Sequence, residues 1–67
     1  MKDYLLSVTE TAERLKTNKN FIYLLIKKGF LKSLKIGSMK IRNTEINRFL
    51  QEFDGKDLTD LNNVKDL

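Results

Sequence analysis

The hydrophobic period of this 67-residue chain changes twice, and those changes limit its fold more than any single motif does. Up to Gly29 the apolar residues recur at helical spacing, from Leu34 to Ile41 they alternate, and from Ile46 the helical spacing returns. Ser7-Val8-Thr9-Glu10 is a capping box, which starts a helix at Val8. At about 100° per residue Val8, Thr11, Ala12 and Leu15 share one side, and Glu10 and Glu13 point away. This helix spans about two turns and is broken by the polar stretch Lys16-Thr17-Asn18. Asn18 caps a second helix running to about Lys28, closed by Gly29 in the left-handed conformation. Its apolar side is Ile22, Leu25 and Ile26 with Phe21 at the edge. Its opposite side is Asn20, Leu24 and Lys27, flanked by Tyr23 and Lys28. Two short helices three residues apart read as a helix-turn-helix.

After Gly29, Leu34 and Ile36 alternate with Ser33 and Lys35, and Met39 and Ile41 with Lys40 and Arg42. With Gly37-Ser38 as the turn, this predicts a two-stranded hairpin with apolar side chains on one face and Lys35, Lys40 and Arg42 on the other. Asn43 or Thr44 caps a third helix that carries Ile46, Phe49, Leu50 and Phe53 on one stripe and ends near Gly55. The segment after it spaces Leu58, Leu61, Val64 and Leu67 three apart and reads either as a disordered tail or as a weak helix. The expected organisation is a domain over residues 1–54 and an acidic C-terminal tail over 55–67. The expected core is Val8, Ala12, Leu15, Ile22, Leu25, Ile26, Ile36, Ile41, Ile46, Phe49 and Leu50.

Composition narrows the chemistry. The chain has no Cys and no His, so it lacks disulfides, thiolates, the commonest metal ligand and the commonest general base. The few Ser residues fall in a cap, a strand and a turn with no partner base, and an enzymatic role is not expected, nor any cofactor or metal. No apolar run approaches the ~18 residues of a membrane span, and the start lacks the pattern of a signal peptide. A cytoplasmic location is the expectation.

Charge supplies the functional lead. Between Glu13 and Glu45 there is no acidic residue, and the gap holds nine cations: Arg14, Lys16, Lys19, Lys27, Lys28, Lys32, Lys35, Lys40 and Arg42. Residues 1–50 carry eleven cations against four carboxylates, and residues 51–67 two against five. A single-signed block inside a mixed chain suits a polyanion, and its coincidence with the helix-turn-helix and hairpin points to nucleic acid. RNA fits less well, because no sheet face studded with aromatics is present to stack bases.

The stretch LLSVTETAERLKTNKNFIYLLIKKGFLKSLKIGSMKIRNTEINRFL resembles the excisionase-type DNA-binding family, small winged-helix proteins akin to the mercury-resistance-type regulators. The matching residues are Leu6, Thr9, Glu10, Ala12 and Leu15, then Ile22, Tyr23, Ile26, Lys27, Lys28 and Gly29. The pattern continues through Leu31, Ile36-Gly37, Ile41-Arg42, Thr44-Glu45, Ile46 and Phe49-Leu50. The resemblance implies a mainly α fold with a small β-hairpin, a winged helix-turn-helix ordered helix–turn–helix–two-stranded wing–helix. It further implies that the second helix enters the major groove and that the wing lies against the backbone or minor groove. Such proteins are recombination directionality factors of mobile elements or small transcription regulators. The chain departs from the family at Lys16, where Gly is usual, at Lys32, where Pro commonly stands, and at Leu24, where Arg or Lys is frequent. Its wing from Gly37 to Ile41 is about one residue short and lacks the common aromatic.

The expected partner is double-stranded DNA. Asn20, near the start of the second helix, is the first candidate for reading a base, by bidentate pairing with adenine. Lys19 and Lys27 follow it, and Tyr23 is placed for a base or a phosphate. Lys27 and Lys28 suit phosphates better, because Lys is a flexible point charge. Leu24 fits a thymine methyl, or equally packs against Phe21 and Lys28. Thr17 and Asn18 stand at a helix N-terminus that can take a phosphate, a role compatible with capping. Arg42 is the wing's candidate for the minor groove, with Lys35 and Lys40 beside it. The same lysines would also guard a sheet edge. A protein-interaction role, through the acidic tail or Leu24 toward an integrase or recombinase or toward further copies on DNA, is the other class of function left open.

Overall fold

Ser7 ends a strand and caps a helix at once. In the computed structural model, which describes residues 3–67, β1 (Leu5–Ser7) runs straight into α1 (Val8–Arg14). The Ser7 N–H donates to Glu10 Oε1 (2.8 Å) and the Glu10 N–H to Ser7 Oγ (3.1 Å), so both halves of the capping box form. Buried Thr11 is satisfied by donating its hydroxyl to the Ser7 carbonyl at 2.8 Å. A three-residue turn leads to the Asn18 cap, whose Oδ1 accepts the Phe21 N–H (2.9 Å) and opens α2 (Lys19–Lys27). Gly29, at φ 85°, closes that helix.

β2 (Leu34–Ile36) and β3 (Ser38–Arg42) form the expected hairpin, but with a different register. Leu34 pairs with Lys40, Lys35 with Met39 and Ile36 with Ser38, which leaves Gly37 (φ 70°) alone between the strands. Cross-strand partners share a face. The face that carries Lys40 and Arg42 therefore also carries Leu34 and Ile36, and Lys35 falls on the opposite face with Met39 and Ile41. The expected grouping of Lys35, Lys40 and Arg42 is overturned, because a turn one residue shorter exchanges the faces of one strand relative to the other. Ile36 is 59% exposed instead of buried.

The third strand was not expected. β1 pairs antiparallel with β3, Leu6 opposite Ile41, giving the sheet order β1-β3-β2. Asn43, expected as a cap, lies inside α3 (Asn43–Phe53), and Arg42 at the cap position makes no side-chain capping bond. The Asn43 side chain is buried, and its Oδ1 accepts the Tyr4 N–H (2.8 Å). Its own N–H donates to the Tyr4 carbonyl (3.0 Å). The residue is used to seal the end of the β1–β3 ladder against the helix start.

Ile22, Leu25, Ile41 and Ile46 are buried completely, with Val8, Ala12 and Phe49 around them. Each large aliphatic among them contributes about 1.5–3 kcal/mol of burial. Leu15 and Ile26 are half-buried, and Leu50 (45% exposed) leaves the expected core. Leu6, Leu31 and Leu61 join it.

Leu61 belongs to the segment expected to be disordered or weakly helical. β4 (Lys56–Asp57) and β5 (Lys65–Asp66) instead pair antiparallel, with Lys56 opposite Asp66 and Asp57 opposite Lys65. Both pairs bring opposite charges together, which favours this register. Between the strands the Thr59 N–H donates to Asp57 Oδ1 (2.9 Å) and the Asn62 N–H to Asp60 Oδ1 (3.0 Å), turns that aim Leu61 at the core. Among the described residues no helix is long and apolar enough to cross a membrane.

Candidate nucleic-acid interface

The exposed side of α2 is fixed by what its other side buries. With Ile22 and Leu25 in the core and Phe21 and Ile26 half-buried, Lys19, Asn20, Tyr23, Leu24 and Lys27 all face solvent. Tyr23 is 50% and Leu24 40% exposed, so both aromatic and aliphatic surface is offered among the charges. No residue of α2 is acidic. Neither Lys19 nor Lys27 has an ion pair among the described residues. Asn20 makes no side-chain hydrogen bond there either, so its amide keeps its donors and acceptor for a ligand.

The hairpin adjoins this face. Lys19 and Tyr23 line one groove with Ser38 and Met39 and with Ser7, Val8 and Thr9 at the start of α1. Met39 is the cross-strand partner of Lys35 and packs against the core, so the register puts Lys35 on the core-side face of the hairpin, while Ser38 of the other face reaches the same groove. Sequence reasoning missed Ser38, Met39 and Thr9 as neighbours of the α2 surface. Their proximity depends on the register, and the alternation pattern favours the neighbouring one, which would gather the apolar side chains on one face.

The remaining candidates are engaged elsewhere in varying degree. Asn18 caps α2, and Thr17 is exposed with its N–H donated to the Ala12 carbonyl (2.9 Å), so that group is not open to a phosphate. Lys28 donates its Nζ to Asn62 Oδ1 (2.9 Å), a contact made by the C-terminal ladder's loop. Lys40, half-buried, lies near Glu10 and adds to what holds that carboxyl below its usual range. The Ser7 backbone N–H is the main cause, followed by the Ser7 side chain. Arg42 is paired with Asp3, whose carboxyl is lowered first of all by that hydrogen bond, and Thr44 donates to the same carboxylate (3.3 Å).

A second cluster shapes the site without belonging to it. Arg48 donates from Nε to Glu45 Oε1 (2.9 Å) and from Nη2 to Glu45 Oε2 (2.6 Å) and to the Phe30 carbonyl (2.9 Å), and it also meets Glu52. Glu45 Oε2 in turn accepts the Lys32 N–H (2.8 Å). The carboxylate that ends the basic block thus fastens the link between α2 and the hairpin to α3, fixing where the hairpin stands. Arg48 is the chief cause of its lowered pKa, with the Lys32 N–H adding to it.

The arrangement is a carboxylate-free helix face with an amide, a phenol and two ammonium groups that have no ion pair among the described residues, and a lysine on the adjoining hairpin. It can donate hydrogen bonds to phosphate and base edges while presenting apolar surface to methyl groups. A family model described as a helix-turn-helix domain matches residues 5–54. No curated protein and no solved structure gives a match.

Proposed function

The chain belongs to the helix-turn-helix domain family, a DNA-binding architecture, and on that premise we propose that it binds double-stranded DNA sequence-specifically. In this reading α2 lies in the major groove and the β2–β3 hairpin acts as the wing beside it. The observation that carries it is the exposed face of α2. Lys19 and Lys27 stand there without ion pairs among the described residues, whereas carboxylates pair Arg42, Arg48 and Lys56 elsewhere in the fold. Asn20 reads a base, Tyr23 and Leu24 add contact area, and Lys19, Lys27, Lys28, Lys35 and Lys40 position the duplex through its phosphates.

On DNA the protein serves as an excisionase-like directionality factor of a mobile element, a binding role without catalysis. The residue pattern shared with that family over roughly residues 5–50 supports this. Titrations at several salt concentrations test the binding. About five phosphate contacts give a slope of log K against log salt of about −4 to −5, and a slope near zero refutes the reading. Asn20→Ala is expected to relax discrimination at one base pair and cost about 1–3 kcal/mol on the preferred site. An excision assay with an integrase encoded beside this protein tests the role. Unchanged excision in its absence, with a promoter responding instead, assigns it to transcription.

A further inference from the structure

Two helices of this fold end in the same backbone closure with different residues at its left-handed position. At the end of α1 the Thr17 N–H donates to the Ala12 carbonyl (2.9 Å) and the Lys16 N–H to the Glu13 carbonyl (3.2 Å). At the end of α2 the Phe30 N–H donates to the Leu25 carbonyl (2.9 Å) and the Gly29 N–H to the Ile26 carbonyl (3.1 Å). Both are Schellman closures, which place one residue at positive φ. That φ is 85° at Gly29 and 60° at Lys16, the one non-glycine residue at positive φ among those described. An L side chain there crowds its Cβ against a carbonyl oxygen, a strain glycine escapes.

No side-chain contact of Lys16 among the described residues offsets that strain. Lys16 is exposed, and its side chain has no hydrogen bond or ion pair among the described residues. Room does not separate the two turns either, since a Cβ added at Gly29 would meet nothing within 4 Å. The gain from a lysine at this position therefore lies outside the isolated chain. Lys16 stands two residues before the Asn18 cap, on the turn that leads into the exposed first-turn residues Lys19 and Asn20. A helix that reads the groove with its N-terminal residues carries the preceding turn up to the phosphates at the groove's edge.

Resting on the reading of α2 as the groove-lying helix, we infer that Lys16 is a positioning residue that contacts a DNA phosphate. The fold keeps a strained conformation at the entry to α2 to present that ammonium group. Local strain held for function is the relation it exemplifies.

Three variants test this on one duplex across a salt series: Lys16→Gly, Lys16→Asn and Lys16→Arg. Glycine removes both strain and charge, asparagine tolerates the left-handed region without charge, and arginine keeps both. Lys16→Gly is expected to melt about 4 °C higher than the parent. It should also lose about 0.9 from the magnitude of the salt slope and bind about fivefold more weakly at 0.15 M salt. Lys16→Asn should show the same loss of slope, and Lys16→Arg the parent's slope. A steep parental slope that Lys16→Gly and Lys16→Asn leave unchanged overturns the inference and leaves the DNA reading standing. A parental slope near zero overturns the DNA reading, and the inference with it.

Discussion

The cations of α2 and those around α3 sit in opposite surroundings. Arg48 is held by Glu45 and Glu52, Arg42 by Asp3 and Lys56 by Asp66. Arg14, at the end of α1, donates to Asn47 Oδ1 of α3 (2.7 Å). On α2, Lys19 and Lys27 form no ion pair among the described residues. The first group ties segments together: Arg14 joins α1 to α3, Arg42 joins β3 to the segment before β1, Lys56 joins β4 to β5, and Arg48, oriented by the carboxylates of its own helix, reaches the Phe30 carbonyl. The second ties nothing, so its presence is not explained by folding. Positive charge that the fold uses is thereby separated from positive charge that it leaves available. The acidic C-terminal segment belongs to the first category, because its Leu61 is in the core and its Asn62 holds Lys28.

The largest expected effect tests whether residues 55–67 are part of the fold. Leu61→Ala removes a side chain only 9% exposed from the common core and should cost about 2–4 kcal/mol, through lost burial and the cavity left behind. For a chain this size that lowers Tm by about 10 °C or more, measurable by circular dichroism. Deleting 55–67 should cost more. A full-length Tm in the truncated protein would return the segment to a dispensable tail and leave Lys28 in the available group.

Next in size is the clamp that separates the two regions. Glu45→Ala leaves Arg48 without its main partner and the Lys32 N–H without an acceptor, which should cost about 1–3 kcal/mol. The salt slope of DNA binding should stay unchanged. Because Arg48 lowers the folded-state pKa of Glu45, the ionised carboxylate stabilises the fold fully above the usual glutamate range, near pH 4.3. That contribution is lost as pH falls through the lowered folded value. Glu45→Gln should therefore flatten the acid limb of a Tm–pH profile below about pH 4.5 and leave the neutral limb lower but level. A limb as steep as the parent's would assign acid sensitivity to Asp3, Glu10, Asp57 and Asp66, whose carboxyls are also lowered.

What could be read in advance follows the locality of the interactions. The starts of α1 and α2 were legible because Ser7, Glu10 and Asn18 bond within three residues of themselves, and Gly29 and Gly55 mark two helix ends by the same short-range logic. The exposed side of α2 was legible because helical periodicity leaves little choice once Ile22 and Leu25 are buried. The register of the hairpin was not, since the alternation favours a two-residue turn that gathers Leu34, Ile36, Met39 and Ile41 on one face, whereas the folded chain turns on Gly37 alone. β1 was hidden because three residues carry no period, and its partner β3 lies more than thirty residues on. Asn43 misled because an amide at a helix start normally caps, whereas here the Tyr4 backbone competes for it. The C-terminal ladder was hidden for a further reason. Its leucines three apart imitate a helix stripe, but the Asp57 and Asp60 turns and the complementary strand charges decide otherwise.

Within the available group, Lys27→Ala sharpens the contrast. With no partner to lose among the described residues, its stability should stay within about 0.5 kcal/mol of the parent. DNA binding at 0.15 M salt should weaken about fivefold, with about 0.9 lost from the salt slope. A loss equal on specific and random duplexes marks a phosphate contact, and a loss confined to the specific site marks base reading. Melting curves and fluorescence-anisotropy titrations on both duplexes measure the two halves independently. A drop in Tm without a change in slope would move Lys27 into the structural group.

The smallest effect concerns the residue that crosses the boundary. Arg42 was the wing's candidate for the minor groove, yet the register turns it onto the sheet face away from Met39, where Asp3 holds it and Thr44 shares the carboxylate. The pair is exposed on both sides, 56% and 48%, so solvent and salt screen it and its contribution to stability is small. Its effect on charge is larger than its effect on folding: one guanidinium is neutralised locally, and one carboxylate stands beside a surface that would meet DNA. Asp3→Asn should leave Tm nearly unchanged and tighten DNA binding about twofold at low salt, by removing a like charge from the polyanion's path. The informative comparison is Arg42→Ala made in both backgrounds. If Asp3 keeps Arg42 from DNA, Arg42→Ala is nearly silent in the parent and reverses the gain in the Asp3→Asn protein, a coupling that a double-mutant cycle reads directly. If Arg42→Ala weakens binding equally in both, Arg42 reaches DNA despite its partner and belongs with Lys19 and Lys27. If it is silent in both, the outer face of the sheet takes no part in binding, and the wing's contribution narrows to Lys35 on the core-side face.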